Sequence, residues 1–192
     1  VIKQVHQYLE SEKILNIEAK RLALSDRIKD ADVVLDVMIH DIDIILSLIN
    51  SPIKRISAEG ICKQHTDKFE TVTALILFEN GVVANLMSSN ISHEKVRTLI
   101  IYEEDKVIKM DYLLKQQQLI VNEINKSASS FPTGTETVIA NLTVPQFDPL
   151  LEELTHFIDC IYEDTNPLVG VEEGKAAVEV ALKIKDCLNI SK

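Results

Sequence analysis

Residues Asp32–Asn50, with the sequence DVVLDVMIHDIDIILSLIN, form the stretch that most constrains how this chain can fold. The stretch is almost wholly apolar, which favours burial, and yet it contains four aspartates and a histidine. Its apolar residues recur around most of the circumference of a helix, a pattern typical of a helix that is buried on most sides. The helix should end before Ser51-Pro52, because proline cannot continue the backbone hydrogen bonds.

The polar residues of this stretch fall at steps of three and four, so on a helix of about 3.6 residues per turn they form one stripe. They are Asp32, Asp36, His40, Asp43 and Ser47. Asp36 and His40 lie one turn apart, within reach of one small molecule. A carboxylate beside a histidine favours the imidazolium form and fixes the orientation of the ring. The pair therefore has the composition of a general acid/base, His40, with a positioning acid, Asp36.

Other interpretations fit the same residues. In one, Asp30 or Asp32 only caps the helix. Asp41, which lies off the stripe, is then exposed, and His40 is a core histidine bonded to a neighbouring aspartate. In another, two carboxylates and the histidine bind a divalent metal ion, although no second histidine or cysteine at ligand spacing supports a metal site. The residues alone leave these alternatives open.

The period of the apolar residues changes to two after the helix, which is typical of strands. Strands are predicted at residues 15–24, 53–63, 70–78, 82–88, 95–102, 106–111 and 138–142, with one or two more in 113–124. The Asn80-Gly81 pair between two β-rich runs predicts a hairpin, and the acidic turn at 103–105 predicts a second. Helices are predicted at 1–14, 149–162 and 171–188, the last two separated by a break at Asn166-Pro167.

This order of elements predicts an α+β fold: one domain with an open, mainly antiparallel sheet of six to eight strands and helices packed on one face. An antiparallel sheet covered on one side leaves its other face free for a partner. We therefore expect a homo-oligomer, a dimer or tetramer, that forms through the open sheet face.

The bulk properties argue against several classes of partner and site. With a formal net charge of −10, the chain lacks the clustered positive charge with which proteins bind nucleic acids or anionic membranes. Its three cysteines are widely spaced, which favours a reducing cytoplasm over a disulfide framework. No apolar run is long and charge-free enough to span a bilayer. The five glycines never form GxGxxG, so no residue of the chain is expected to bind a dinucleotide cofactor.

The motif Asp36-Val-Met-Ile-His40-Asp41-Ile-Asp43 resembles the DxxxHDxD helix in the second domain of the glucose–fructose oxidoreductase, inositol dehydrogenase and MocA (Gfo/Idh/MocA) family. The resemblance covers nearly the whole chain. It includes the opening helix and strand, the hairpin FENGVVANL and the closing segment PLLEELTHFIDCIYEDTNPLVGVEEGKAAVEVAL.

The resemblance implies that residues 1–192 are the C-terminal, substrate-binding and oligomerisation domain of a dehydrogenase, with residues 1–14 as the linking helix. NAD or NADP would then be bound mainly by an N-terminal Rossmann domain that this chain does not contain. His40 matches the family's general acid/base, Asp36 matches the acid that pairs with it, and Asp43 is expected to support the pair. The family's catalytic lysine also belongs to the missing domain, so the chain alone is expected to be inactive. Because it starts without methionine, we expect it to be a fragment.

The segments RLALSDRIKDADVVLDVMIHDID and EKVRTLIIYEEDKVIKMDYLLKQQ are similar to family members that oxidise a hydroxyl of a nucleotide sugar, of the kind that acts on position 3 of UDP-N-acetylglucosamine. This similarity implies that Arg21, Arg27 and Arg97 bind substrate oxygens, such as those of a diphosphate. The alternative is a non-catalytic oligomerisation or ligand-binding module in which Asp36 and His40 are structural.

Overall fold

The computed structural model describes residues 8–24, 32–62, 68–114, 116–124, 135–142 and 148–190. Within them one sheet has the strand order β2-β3-β4-β1-β5-β6-β7-β8. Its strands are β1 Ile14–Leu24, β2 Ile53–Cys62, β3 Phe69–Phe78, β4 Val83–Ser89, β5 Ile91–Glu103, β6 Lys106–Asp111, β7 Gln116–Ile124 and β8 Thr135–Leu142. All neighbouring strands are antiparallel except β1 and β4, which are parallel. The predicted open, mainly antiparallel α+β fold is confirmed.

The predicted hairpin between β3 and β4 is present. Gly81 has a φ of 91°, a left-handed conformation that glycine adopts without steric cost. The backbone N–H of Phe78 donates to the carbonyl of Val82 at 2.9 Å, and the side-chain oxygen of Asn80 accepts a hydrogen bond from the Val82 N–H at 3.2 Å. The Asn-Gly signal in the sequence thus corresponds to the residues that close the turn.

Two rows of apolar side chains run across the face of the sheet that the helices cover. The first row holds Ala58, Ala74, Leu86, Ala19, Leu99 and Met110, one residue from each of six neighbouring strands. The second row, two residues further along the strands, holds Ile56, Ile76, Ala84, Ile17, Ile101 and Ile108. All twelve are buried except Ile56, which is half-buried. Because side chains alternate between the two faces of a strand, the period of two in the sequence places these residues together.

The helix predicted for Asp32–Asn50 forms, but it begins with a π-helical turn, Val34–Met38, before the α-helix α1, Ile39–Leu48. Within the turn a backbone hydrogen bond spans five residues, from the N–H of Ile39 to the carbonyl of Val34. The prediction of one regular α-helix was therefore wrong at its start. A π turn holds an extra residue and rotates the residues that follow it around the helix axis.

Asp32 caps this helix, as one of the alternatives predicted. Its Oδ1 accepts hydrogen bonds from the backbone N–H groups of Val34 at 3.1 Å and Leu35 at 3.3 Å. These are two of the N–H groups that a helix start leaves without a partner within the helix. The other candidate cap, Asp30, lies outside the described residues.

Two further helices follow the sheet, α2 Pro149–Glu163 and α3 Val171–Ile190. Helix α3 packs against β2 and α1. The apolar stripe of α3 is buried and consists of Ala177, Val180, Ala181, Ile184 and Leu188. The apolar stripe of α2 is between 49% and 65% exposed and consists of Leu150, Leu151, Leu154, Phe157, Ile158 and Ile161. The two helices were predicted from the same periodicity, yet in the described structure only α3 buries its stripe.

The predicted opening helix lies largely outside the described residues. Tyr8 has a 3-10 conformation, and a short 3-10 turn, Ser11–Lys13, lies directly before β1. None of the helices that the structure describes is long and apolar enough to cross a membrane.

Candidate active site

The helix-covered face of the sheet becomes polar in the row next to the apolar rows. There Ser88 of β4, Arg21 of β1 and Arg97 of β5 stand side by side in register. Tyr112, directly after β6, extends the row, because its backbone N–H donates to the carbonyl of Arg97 at 2.9 Å. The same alternation that builds the core thus brings two arginines, a serine and a tyrosine to one end of the sheet.

Arg21 forms an ion pair with Asp41 of α1. Its Nε donates to Asp41 Oδ1 at 2.8 Å, and the Asp41 side chain is only 2% exposed. Burial raises the pKa of the Asp41 carboxyl above its usual value, whereas the Arg21 guanidinium lowers it. Weaker lowering comes from the charges of His40 and Arg97. One alternative interpretation left Asp41 exposed, and the structure contradicts that part of it. Arg21 supplies the charge partner without which a buried carboxylate is costly.

Tyr112 packs beside this ion pair. The Arg21 guanidinium carbon lies 5.8 Å from the centroid of the Tyr112 ring, a distance at which a cation is attracted to an aromatic face. Burial raises the pKa of the Tyr112 hydroxyl, and the negative charge of Asp41 adds to this effect. Among the residues the structure describes, neither the Tyr112 hydroxyl nor the buried Ser88 hydroxyl has a hydrogen-bond partner.

His40 lies on the outer side of α1 and is exposed, which excludes the alternative of a core histidine. Asp36, in the π turn, is half-buried. The charge of His40 acts on both Asp41 and Asp43, so the imidazole is close to two carboxylates of its own helix. The predicted catalytic pair therefore lies at the surface of the helix rather than inside the core.

Asp32 and Asp43 respond in opposite ways to charged side chains of α3. Burial raises the pKa of the half-buried Asp43 carboxyl, and the negative charge of Glu173 on α3 raises it further, whereas His40 lowers it. The Nζ of Lys185 on α3 lies 2.8 Å from Asp32 Oδ2. Helix α3 thus attracts Asp32 of the polar stripe through the Lys185 ion pair and repels the charged form of Asp43 through Glu173.

The structure places the predicted site residues in two groups. Arg21 and Arg97 lie side by side in the polar row, whereas Asp36, His40 and Asp43 lie on one helical segment. The Arg21–Asp41 ion pair joins this segment to the polar row. Arg27 lies outside the described residues. The sequence interpretation missed three participants, Asp41, Tyr112 and Lys185. A signal existed only for Asp41, which is a charged residue inside an apolar run and so required a partner.

The described glycines lie in surroundings unlike those of a phosphate-binding loop. Gly60 lies inside β2, where an added Cβ would be 2.7 Å from the Phe69 ring. Gly170 and Gly174 flank the start of α3, whose first turn carries Glu172 and Glu173. Two carboxylates at a helix N-terminus oppose the binding of a pyrophosphate there. Nor do three histidine, cysteine or carboxylate side chains of the described part of the chain cluster as a metal site would require.

The chain is similar to several characterised proteins. Residues 17–108 match the GFO/IDH/MocA C-terminal domain family. Over 191 residues the chain is 28% identical to the UDP-N-acetylglucosamine 3-dehydrogenase of Acidithiobacillus ferrooxidans, a match that covers 96% of this chain and 59% of that protein. A solved structure of UDP-N-acetylglucosamine 3-dehydrogenase GnnA from A. ferrooxidans superposes with a TM-score of 0.82 at 27% identity, covering 97% of this chain and 59% of the other.

A more distant structure shares the fold. Levoglucosan dehydrogenase in complex with NADH and L-sorbose superposes with a TM-score of 0.73 at 14% identity, and the match covers 97% of this chain and 59% of that one. This chain therefore spans about 59% of the length of the relatives it matches.

Proposed function

We propose, because residues 17–108 match the GFO/IDH/MocA C-terminal domain family, that this chain is the substrate-binding part of a longer NAD(P)-dependent dehydrogenase that oxidises a hydroxyl of a sugar or nucleotide sugar. The observation that carries the proposal is the position of His40, which is exposed on α1 and close to the charges of Asp41 and Asp43. A general base must be reachable by its substrate, and an exposed imidazole meets that requirement.

Oxidation of an alcohol to a ketone removes a hydride from carbon and a proton from oxygen. NAD(P), bound by another part of the longer protein, would accept the hydride. In this chain an imidazole nitrogen of His40 accepts the hydroxyl proton. Asp36, one turn earlier, orients the ring. The nearby carboxylates of Asp41 and Asp43 stabilise the imidazolium that forms.

The substrate we propose is a nucleotide sugar, with UDP-N-acetylglucosamine as the first candidate. Two features support it: the 28% identity to a UDP-N-acetylglucosamine 3-dehydrogenase, and the exposed Arg97 at the polar end of the sheet. Guanidinium groups bind phosphate oxygens with charge-assisted hydrogen bonds. Arg27 remains a further proposed contact.

We also propose that the open face of the sheet mediates a dimer or tetramer. On that face Leu75 is 39% exposed and Ile61 is 62% exposed, while Met87 and Ile100 are half-buried. Their cross-strand neighbours on this face are polar, among them Ser57, Asn85 and Lys20, and a surface that mixes apolar and polar residues is typical of a non-obligate interface. The same face supports the second candidate function, a non-catalytic oligomerisation module in which Asp36 and His40 are structural.

The role of His40 is tested in the protein encoded by the complete reading frame, by following NAD⁺ and NADP⁺ reduction with UDP-N-acetylglucosamine. We expect His40→Ala to lower kcat about 10²-fold or more, because general-base catalysis usually contributes at least that much. His93→Ala, at an exposed histidine of β5, is the control and should retain wild-type turnover. Unchanged turnover in His40→Ala would exclude the role of His40. Absence of a GxGxxG strand-turn-helix from the complete protein would favour the non-catalytic module.

The oligomer is tested by sedimentation of the chain. Leu75→Lys places a charge on the open sheet face and should shift the assembly towards the monomer, because burial of an unpaired charge in an interface is costly. Leu154→Lys places the same charge on α2, where Leu154 is 53% exposed. If Leu154→Lys dissociates the assembly and Leu75→Lys does not, the open sheet face is not the interface.

A further inference from the structure

We propose that the two neighbouring arginines of the polar row have different roles: Arg21 is a positioning residue that fixes α1 and its His40 through Asp41, whereas Arg97 contacts the anionic group of the substrate. The inference rests on the proposed function, and it divides between two residues a role that the sequence suggested for both. It follows from three differences between the arginines: their partners, their exposure and their connection to α1.

Arg21 is committed to groups of the protein. Its Nε donates to the buried Asp41 at 2.8 Å, and its guanidinium lies over the ring of Tyr112. The Arg21 side chain is only 17% exposed. If Arg21 turned towards a ligand, it would leave the 2% exposed Asp41 carboxylate without its charge partner, which is the most costly way to break such a pair.

Arg97 stands directly opposite Arg21 in the register of β1 and β5, but it is exposed. Side chains that face each other on neighbouring strands lie about 5 Å apart at their Cβ atoms. The positive charges of Arg21 and Arg97 therefore lie close together on one face of the sheet, and Asp41 forms an ion pair with Arg21 alone. No carboxylate of the described segments lies within ion-pair distance of Arg97. An anionic ligand at Arg97 would neutralise the second charge and contact a side chain that solvent already reaches.

Asp41 is the residue directly after His40, so whatever fixes Asp41 also fixes the backbone that carries the imidazole. The π turn lies immediately before this segment, and a π turn lacks the regular hydrogen bonding of an α-helix. The Arg21–Asp41 pair anchors the helix to β1 just beyond that irregular turn. We infer that this anchor sets the distance between His40 and a substrate held at Arg97.

The positioning role is tested by amide hydrogen exchange on the 192-residue chain, with Arg21→Met and Arg97→Met as a matched pair. Arg21→Met should raise the exchange rates of the amides in α1 by about tenfold or more, because the anchor is lost and a buried charge is left unpaired. Arg97→Met should leave these rates within about twofold of wild type. Equal effects of the two substitutions would overturn the division of roles.

The substrate role is tested by kinetics on the protein encoded by the complete reading frame, with UDP-N-acetylglucosamine as substrate and UDP as competing ligand. Arg97→Met should raise KM and the inhibition constant of UDP about tenfold or more while changing kcat little. Arg21→Met should lower kcat more than it raises KM. Lys183→Met, which removes an exposed charge from α3, is the control and should change neither kcat nor KM. A rise in KM alone for Arg21→Met, with unchanged exchange in α1, would show that Arg21 is a substrate contact.

A second variant covers the case in which Arg21→Met does not fold. Asp41→Asn then takes its place, because this substitution removes the same ion pair at nearly constant volume. A rise in KM for Asp41→Asn without faster amide exchange in α1 would overturn the proposal. If the wild-type protein oxidises no nucleotide sugar, the proposed function fails. The exchange contrast between Arg21→Met and Arg97→Met then still decides whether Arg21 positions α1.

Discussion

Helices α2 and α3 have similar amphipathic sequences and opposite environments. The apolar stripe of α3 lies against β2 and α1, and its Ile184 is fully buried. The stripe of α2 is at least 49% exposed along its length, although α2 has a well-formed start in which Asp148 accepts hydrogen bonds from Leu150 and Leu151. The comparison teaches that apolar periodicity and a cap determine that a helix forms, whereas its packing partner depends on the rest of the fold.

The largest expected effect comes from truncating one isoleucine in each helix. Ile184→Ala should lower the free energy of unfolding by about 2–5 kcal/mol, because it removes buried methyl groups and leaves a cavity. Ile158→Ala in α2, where Ile158 is 49% exposed, should change it by no more than about 0.5 kcal/mol. Urea unfolding of both variants measures the difference. A large loss for Ile158→Ala would mean that α2 is covered in solution.

A smaller effect is expected from the ion pair through which α3 reaches the candidate site. Lys185→Met should lower the free energy of unfolding by about 1–2 kcal/mol, because Asp32 is 5% exposed and loses its charge partner, while Lys185 itself is partly solvated. Lys183→Met, at an exposed position of the same helix, should change stability by less than about 0.5 kcal/mol. Thermal unfolding of the two variants is the measurement. Equal shifts in Tm for the two variants would show that the Lys185–Asp32 ion pair does not stabilise the folded protein.

The smallest expected effect is a pH dependence of the free energy of unfolding that comes from Asp43 of α1, whose pKa is raised in part by Glu173 of α3. The pKa of Asp43 is raised in the folded state, so its contribution to stability is present below the ordinary value of 3.8 and is lost as pH rises through the higher folded value. Asp43→Asn removes this loss. The stability of the variant relative to wild type should therefore increase with pH across that interval and then stay constant, as urea unfolding over about pH 3 to 7 would measure.

The companion variant Glu173→Gln separates the two causes of the Asp43 effect. Removing the negative charge of Glu173 should move the pKa of Asp43 downward and shorten the interval over which Asp43→Asn gains stability. If the interval does not change, burial alone raises the pKa, and α3 does not act on α1 at this point.

Much of the fold was predictable because its signals are local. Alternation located the strands of the sheet to within a few residues at most ends, and the Asn80-Gly81 pair located the hairpin. The cap at Asp32 also followed from residue type and position. These features depend on residues close together in the chain, and the sequence contains that information directly.

The candidate site was only partly predictable, because most of its contacts join distant residues. Asp41 is buried because Arg21 lies twenty residues earlier on β1, and Tyr112 joins them from the end of β6. The π turn contacts β4 and α3, which are far from it in the chain. The spacing of residues within one segment carries no information about contacts with distant segments. The alternative in which Asp41 is exposed was therefore wrong, whereas the helix that contains Asp41 was predicted correctly.

The sequence by itself determined the elements of this protein: eight strands with alternating apolar residues, a capped helix with a histidine among aspartates, and two amphipathic helices at the end. The tertiary structure decided which charges meet. It placed Arg21 and Arg97 side by side, paired Arg21 with a buried carboxylate, left His40 exposed and covered α3 but not α2. The physical reason is that burial and charge pairing depend on register and packing between elements, which the spacing of residues within one element does not specify.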